Sequence, residues 1–220
     1  MWAVFFMAVQ ANNKNDTQIE PWIVGGTNAK DGQFPHQISL RLRGEHNCGG
    51  VIVSFTHVIT AAHWLKDGDA VSDVKYLLKF TLQPILRRDP AELFTIKAGS
   101  LLLSGGGVVV PVATVTVHPN YSRQGPDLAV LRLQSALTFD PNTAAIQQAS
   151  EDPPDGVTVY ISGWGQTSQN GPISDSLLFV QDSGGPATYK GKVVGLASLL
   201  CGGCGRAAPD GNERIFKLRT

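Results

Sequence analysis

Neither sign of charge is in surplus in this 220-residue chain: 18 Lys and Arg stand against 18 Asp and Glu, and charged residues make up only 16% of the total. No block of like charge is long enough to form a nucleic-acid or anionic-membrane surface, so neither partner is expected. Cysteine is scarce. Cys48, Cys201 and Cys204 are the three present, an odd count that leaves at least one thiol without an internal partner. Internal repeats and heptads are absent. The apolar run at the amino end, MWAVFFMAVQA, is about ten residues long and too short to span a bilayer. A phosphate loop, a dinucleotide fingerprint and a metal-ligand cluster are missing too. Gly105-Gly106-Gly107 lacks the lysine and the helix that a phosphate cradle requires, so no cofactor is expected.

Glycine and proline are plentiful, at 24 and 13. Between them lie short β-branched or alternating runs that predict strands: 37 to 42, 51 to 53, 58 to 60, 108 to 117, 127 to 133, 157 to 161 and 192 to 199. Turn chemistry separates them at Asp31-Gly32, Ser104 to Gly107, Pro153-Pro154 and Lys190-Gly191. The spacing predicts an all-β chain built as two antiparallel barrels or a sandwich, with the boundary between halves near residues 121 to 145. The amino-terminal run resembles a signal-peptide core in length and ends in the small residue Ala11, although it lacks a basic flank. Sequons at Asn15-Asp16-Thr17 and Asn120-Tyr121-Ser122 lean the same way, toward secretion.

The stretch Val-Gln-Asp-Ser-Gly-Gly-Pro, residues 180 to 186, poses the chemical question. Alone, Asp-Ser-Gly-Gly reads as a polar turn. Acyl transfer by a serine also needs a base to take its proton, a buried acid to orient that base, and backbone donors for the developing oxyanion. His63, after Thr60-Ala61-Ala62, and Asp127, before Leu128-Ala129-Val130-Leu131, supply the other two groups. Singly, a histidine after a strand is a core or surface residue and an aspartate before an apolar run is a cap. Together, in the order His63, Asp127, Ser183, they point to a catalytic triad.

With these residues the chain resembles the chymotrypsin-like, or trypsin-family, serine endopeptidases from Ile23 nearly to its carboxyl end. The resemblance rests also on Ile23-Val24-Gly25-Gly26, Cys48-Gly49-Gly50, His118-Pro119-Asn120-Tyr121 and Gly163-Trp164-Gly165. It implies two orthogonal six-stranded Greek-key β-barrels with the triad between them. Residues 1–22 would be a signal peptide and propeptide, 23–130 the first barrel, and 131–220 a second barrel expected to be incomplete. By the same resemblance His63 would act as general base, Asp127 would hold its tautomer and Ser183 would attack. The amides of Gln181 and Ser183 would form the oxyanion hole, and Asp182 would pair with the freed ammonium of Ile23. Ser198 would bond the catalytic aspartate, with Ser198, Leu199 and Leu200 forming the edge strand that takes substrate. The partners implied are polypeptide substrates, an activating protease and protein inhibitors, in the extracellular space.

Several residues depart from the family pattern. Trp22 precedes Ile23 where trypsin-activated relatives carry Arg or Lys, so an activating protease would have to accept an aromatic residue. Trp64 follows His63 where the family has a cysteine bonded to the position of Cys48, and mostly free thiols are expected. Residues 74 to 86 read as an apolar insertion. Residues 175 to 181 run directly into the serine loop, without the segment that carries the base of the primary specificity pocket. Gln181 stands for the oxyanion-hole glycine and Leu200 for another glycine. Alternative splicing, a misassembled transcript and a decayed paralogue would each leave such a pair of changes. The sequence therefore predicts a secreted serine endopeptidase of impaired activity. An inactive homologue that binds proteins through its cleft and a purely structural β domain are the alternatives.

Overall fold

The computed structural model describes residues 3–8, 26–65, 90–121, 127–154, 156–167, 171–180, 186–198 and 214–219. For 3–8, 180, 197, 198 and 214–219 it gives the backbone alone. Strands β1 (Ala3–Ala8) and β2 (Thr27–Asn28) precede the first unit, which consists of β3 (Gln37–Leu42), β4 (Glu45–Ser54), β5 (His57–Thr60), β6 (Phe94–Ala98), β7 (Val108–Val117) and β8 (Ala129–Leu133). These six close into a barrel in the order β3-β4-β5-β8-β7-β6, every pair antiparallel. Later in the chain come β9 (Gln147–Gln148), β10 (Tyr160–Gly163), β11 (Leu178–Val180), β12 (Pro186–Tyr189), β13 (Lys192–Ser198) and β14 (Arg214–Arg219).

The second unit is an open sheet in the order β1-β14-β13-β12-β10-β11-β2, with β9 pairing parallel to β13. Closure thus belongs to the first unit, and among the described residues the second is a sheet that runs from β1 to β2 without closing, as expected of an incomplete barrel. Ala3–Ala8 pair with Arg214–Arg219 over six rungs. β8 runs to Leu133, and Leu131 and Leu133 at its end both belong to the barrel core.

Local chemistry accounts for the elements. In β8 the pattern of buried, half-buried, buried, exposed, buried residues matches the two-residue period of a strand with one face in the core. Arg43 and Gly44, and again Lys190 and Gly191, have positive φ at both central positions. That is the type I′ geometry whose twist matches flanking strands, so β3-β4 and β12-β13 are tight hairpins. The barrel interior is filled by Ile38, Leu40, Ile52, Val58, Phe94, Ile96, Val112 and Leu131, all fully buried. Each contributes about 1.5–3 kcal/mol relative to exposure. Gly50 is required by close packing: a Cβ there would lie 2.7 Å from the Ile59 carbonyl oxygen and 2.9 Å from Ile38 Cδ1.

Polar ties lock the barrel to the sheet. Leu177 N donates to Leu101 O at 2.7 Å, Trp164 Nε1 donates to the same oxygen at 3.0 Å, and Ser162 Oγ donates to Gln37 Oε1 at 2.7 Å. Ser104 donates through both its amide and its hydroxyl to the Asp175 carboxylate, each at 2.7 Å. An apolar cluster crosses the same seam. Val51, Ile59 and Leu128 of the barrel side pack with Val193 and Leu196 of β13.

Candidate active site

Strand register brings the histidine and the aspartate together. Thr60 at the end of β5 lies opposite Ala129 at the start of β8. His63, three residues after the first, and Asp127, two before the second, therefore leave the barrel at the same end. His63 sits on a single 3-10 turn, Ala62–Leu65, anchored by the fully buried Ala62 and Leu65. Asp127 has no solvent exposure. An isolated buried carboxylate would carry a large desolvation cost, so donors must offset it. The backbone amide of His63 donates to Asp127 Oδ1 at 2.8 Å, and His63 Nδ1 is hydrogen-bonded to Asp127 Oδ2.

That second bond fixes the chemistry of the ring. With Nδ1 donating to the carboxylate, the neutral imidazole carries its lone pair on Nε2. His63 is 26% exposed, so the ring is reachable from outside while its partner is sealed. A dyad of this geometry can take a proton at Nε2, hold the resulting imidazolium against a buried anion, and return the proton.

Behind the dyad lies Cys48, a free thiol whose sulfur accepts from Thr60 Oγ1 at 3.8 Å. Burial pushes that thiol up to about 12; the Thr60 hydroxyl opposes the shift and the nearby Asp127 carboxylate adds to it. Thr60 Oγ1 also donates to Gly49 O at 2.7 Å, tying β5 to β4 beside the site. Trp64 packs against His63, the two ring centroids 4.9 Å apart, and its carbonyl accepts from Asn47 Nδ2 at 3.1 Å. Neither Asn47 nor this ring contact carried a sequence signal, since neighbouring residues on a tight helical turn do not normally face each other.

The other expected site residues divide. Ile23, Gln181, Asp182, Ser183, Leu199 and Leu200 lie outside the described residues, as do Cys201, Cys204 and the insertion at 74 to 86. Ser198 is the last residue of β13, and its backbone pairs with Arg214 of β14. Leu128, next to Asp127, packs with Leu196, two residues before Ser198. Val180 and Ala187 lie on opposite flanks of β10, both facing Ile161, about 10 Å apart by strand spacing. Residues 181 to 186 join them. Trp164 is buried in the seam, with Ala29 and Leu177. Among the described residues no group of three or more His, Cys, Asp or Glu side chains could hold a metal ion.

Residues 23–181 match the trypsin family. The chain is 32% identical to serine protease SP24D of Anopheles gambiae over 231 residues, covering 90% of this chain and 79% of that protein. To trypsin delta of Drosophila erecta it is 36% identical over 166 residues, which are 74% of this chain and 57% of the trypsin. Among solved structures it is similar to neuropsin, a serine protease expressed in mouse brain, with TM-score 0.66 and 20% identity over 89% of this chain and 93% of that one. A mutant of human heparin binding protein gives TM-score 0.68 and 21% identity over 90% and 91%. At such identities the two solved structures share the fold. One is named a protease and the other is not, so fold alone does not decide activity.

Proposed function

Because the chain belongs to the trypsin family of serine proteases, we propose that it is a secreted endopeptidase that cleaves peptide bonds with His63, Asp127 and Ser183, and that its turnover is impaired. The observation that carries this reading is the buried Asp127 carboxylate held by both the amide and the ring of His63. In the proposed reaction Ser183 Oγ attacks the scissile carbonyl while its proton passes to His63 Nε2. Asp127 keeps the ring oriented and offsets its new charge. The tetrahedral oxyanion is held by the amides of Gln181 and Ser183. Collapse breaks the C–N bond, and the departing amine takes the proton from His63. Water, activated by the same nitrogen, then releases the acyl group from Ser183.

Maturation is part of the proposal. Asp182 pairs with the ammonium of Ile23, so a cut after Trp22 is required, by an activating protease that accepts an aromatic residue. That Leu128 and Leu196 belong to one apolar cluster supports a role for Ser198 beside Asp127, with Ser198 to Leu200 receiving the substrate backbone. Impairment has two sources. Gln181 keeps an N–H, yet a residue with a Cβ gives up about 1 kcal/mol or more to adopt a glycine-type conformation. The segment that would build the pocket base is also absent from the sequence. The direct test is peptide cleavage by the chain starting at Ile23, with Ser183→Ala as control. Slow cleavage that the substitution abolishes supports the proposal. Cleavage as fast from the chain starting at Met1 would refute the activation step, and none from either chain would favour a homologue that binds proteins without cutting them.

A further inference from the structure

We propose that Trp64 is a positioning residue for His63, an aromatic brace that holds the imidazole in its Asp127-bonded orientation and shields one face from water; this rests on the reading of His63 as the general base. The turn that carries both residues is four residues long. On a 3-10 turn with three residues per revolution, neighbours point about 120° apart. Their rings should diverge, yet the centroids are 4.9 Å apart at an interplanar angle of 43°.

Trp64 is held in that pose from the barrel wall. Asn47 on β4 donates its Nδ2 to the Trp64 carbonyl at 3.1 Å, while Ala62 and Leu65 on either side are fully buried. The backbone of Trp64 is thus fixed, and its indole lies against the His63 ring. The need is physical. One bond at Nδ1 leaves an imidazole able to swing about its side-chain torsions, and each excursion moves Nε2 off the position a general base must hold. A second contact on the ring face removes that freedom.

Cys48 makes the arrangement intelligible. Among the described residues it is a half-buried free thiol next to the same turn, its sulfur bonded by Thr60. The covalent tie that the family resemblance would place between positions 48 and 64 is not available, and the histidine turn is secured by stacking and by the Asn47 bond instead.

Diethyl pyrocarbonate, which acylates accessible unprotonated imidazole nitrogens, tests this without requiring any catalysis. Rates of carbethoxylation are measured for each histidine of the full chain by mass spectrometry. His57 and His118, both half-exposed, serve as internal standards, and His36, 7% exposed, reports unfolding. Trp64→Ala is expected to raise the His63 rate about two- to tenfold relative to the standards, the factor an aromatic ring pair is worth. Trp64→Phe is expected to keep it within about twofold of the parent, with His36 silent in both. An unchanged His63 rate in Trp64→Ala overturns the proposal. If His36 rises in that variant too, Trp64→Leu decides: a faster His63 with silent His36 supports the brace, and an unchanged His63, or a rise shared with His36, overturns it. Labelling of Ser183 by a fluorophosphonate in the parent chain is scored separately. A chain silent to that reagent but responsive at His63 would sink the protease reading and leave the role of Trp64 standing.

Discussion

Iodoacetamide added to the folded chain at pH 8 should leave Cys48 almost untouched. The thiolate is the reactive form, and burial raises this thiol from an ordinary 9.0 to about 12. At pH 8 about one molecule in ten thousand then carries a thiolate at Cys48 when folded, against about one in ten when unfolded, a protection of roughly a thousandfold. The same shift has a consequence for stability. A proton bound more tightly in the folded state leaves stability intact below about pH 9, and it is lost as pH rises from there toward 12. The slope approaches about 1.4 kcal/mol per pH unit. Two assays follow: alkylation rates at Cys48, mapped by peptide mass spectrometry in native buffer and in urea, and urea unfolding of the parent and Cys48→Ala from pH 7 to 11. The parent should lose stability with alkali faster than the variant. Labelling of native Cys48 within tenfold of the unfolded rate, or parallel pH curves, would refute the reasoning.

Acid should act through His36, which burial lowers to about 4 and whose Nε2 has no hydrogen-bond partner among the described residues. Stability that is full above about pH 6.5 should fall as pH drops toward 4, and His36→Leu should flatten that fall in urea titrations; an equal fall in the variant would contradict it. Trp64→Cys should form a bridge with Cys48, worth about 3 kcal/mol for a loop of that length. Thiol titration of the denatured, unreduced variant should show one sulfhydryl fewer than the parent, and one more would refute it. Gln181→Gly should speed acylation of Ser183 by an active ester, but by less than the roughly hundred- to thousandfold that a wholly missing oxyanion donor represents. Full recovery to that extent would place the whole defect at Gln181, against the share assigned to the missing pocket.

Alternating or β-branched runs were legible from the sequence: the expected runs at 37 to 42 and 108 to 117 are β3 and β7 to the residue. β6 was not read, although Phe94-Thr95-Ile96-Lys97-Ala98 also alternates, with Lys97 at one of its polar positions. Its ammonium is nonetheless buried, donating to the carbonyls of Leu102, Leu103 and Gly105 at 2.8, 2.9 and 2.6 Å, so a residue that reads as surface belongs to the wall of the seam. The first half of β4, Glu45 to Gly50, was missed as well: its polar side chains and two glycines hide a strand whose partners are on β3. His63 and Asp127 were legible through the residues around them, and the strand register explains why those neighbours matter. The contact between His63 and Trp64 was not, since nothing in a pair of adjacent residues announces that their rings meet.

The central claim is that His63 and Asp127 activate Ser183. It is tested most directly by the rate at which a fluorophosphonate labels Ser183 in the chain beginning at Ile23, compared with His63→Ala and Asp127→Asn. The account predicts slow but measurable labelling of Ser183 in the parent and a drop of about a hundredfold or more in each variant, the range in which a lost base or a wrong tautomer acts. Labelling of Ser183 at equal rates in all three chains, or no labelling of the parent under any condition, would contradict it.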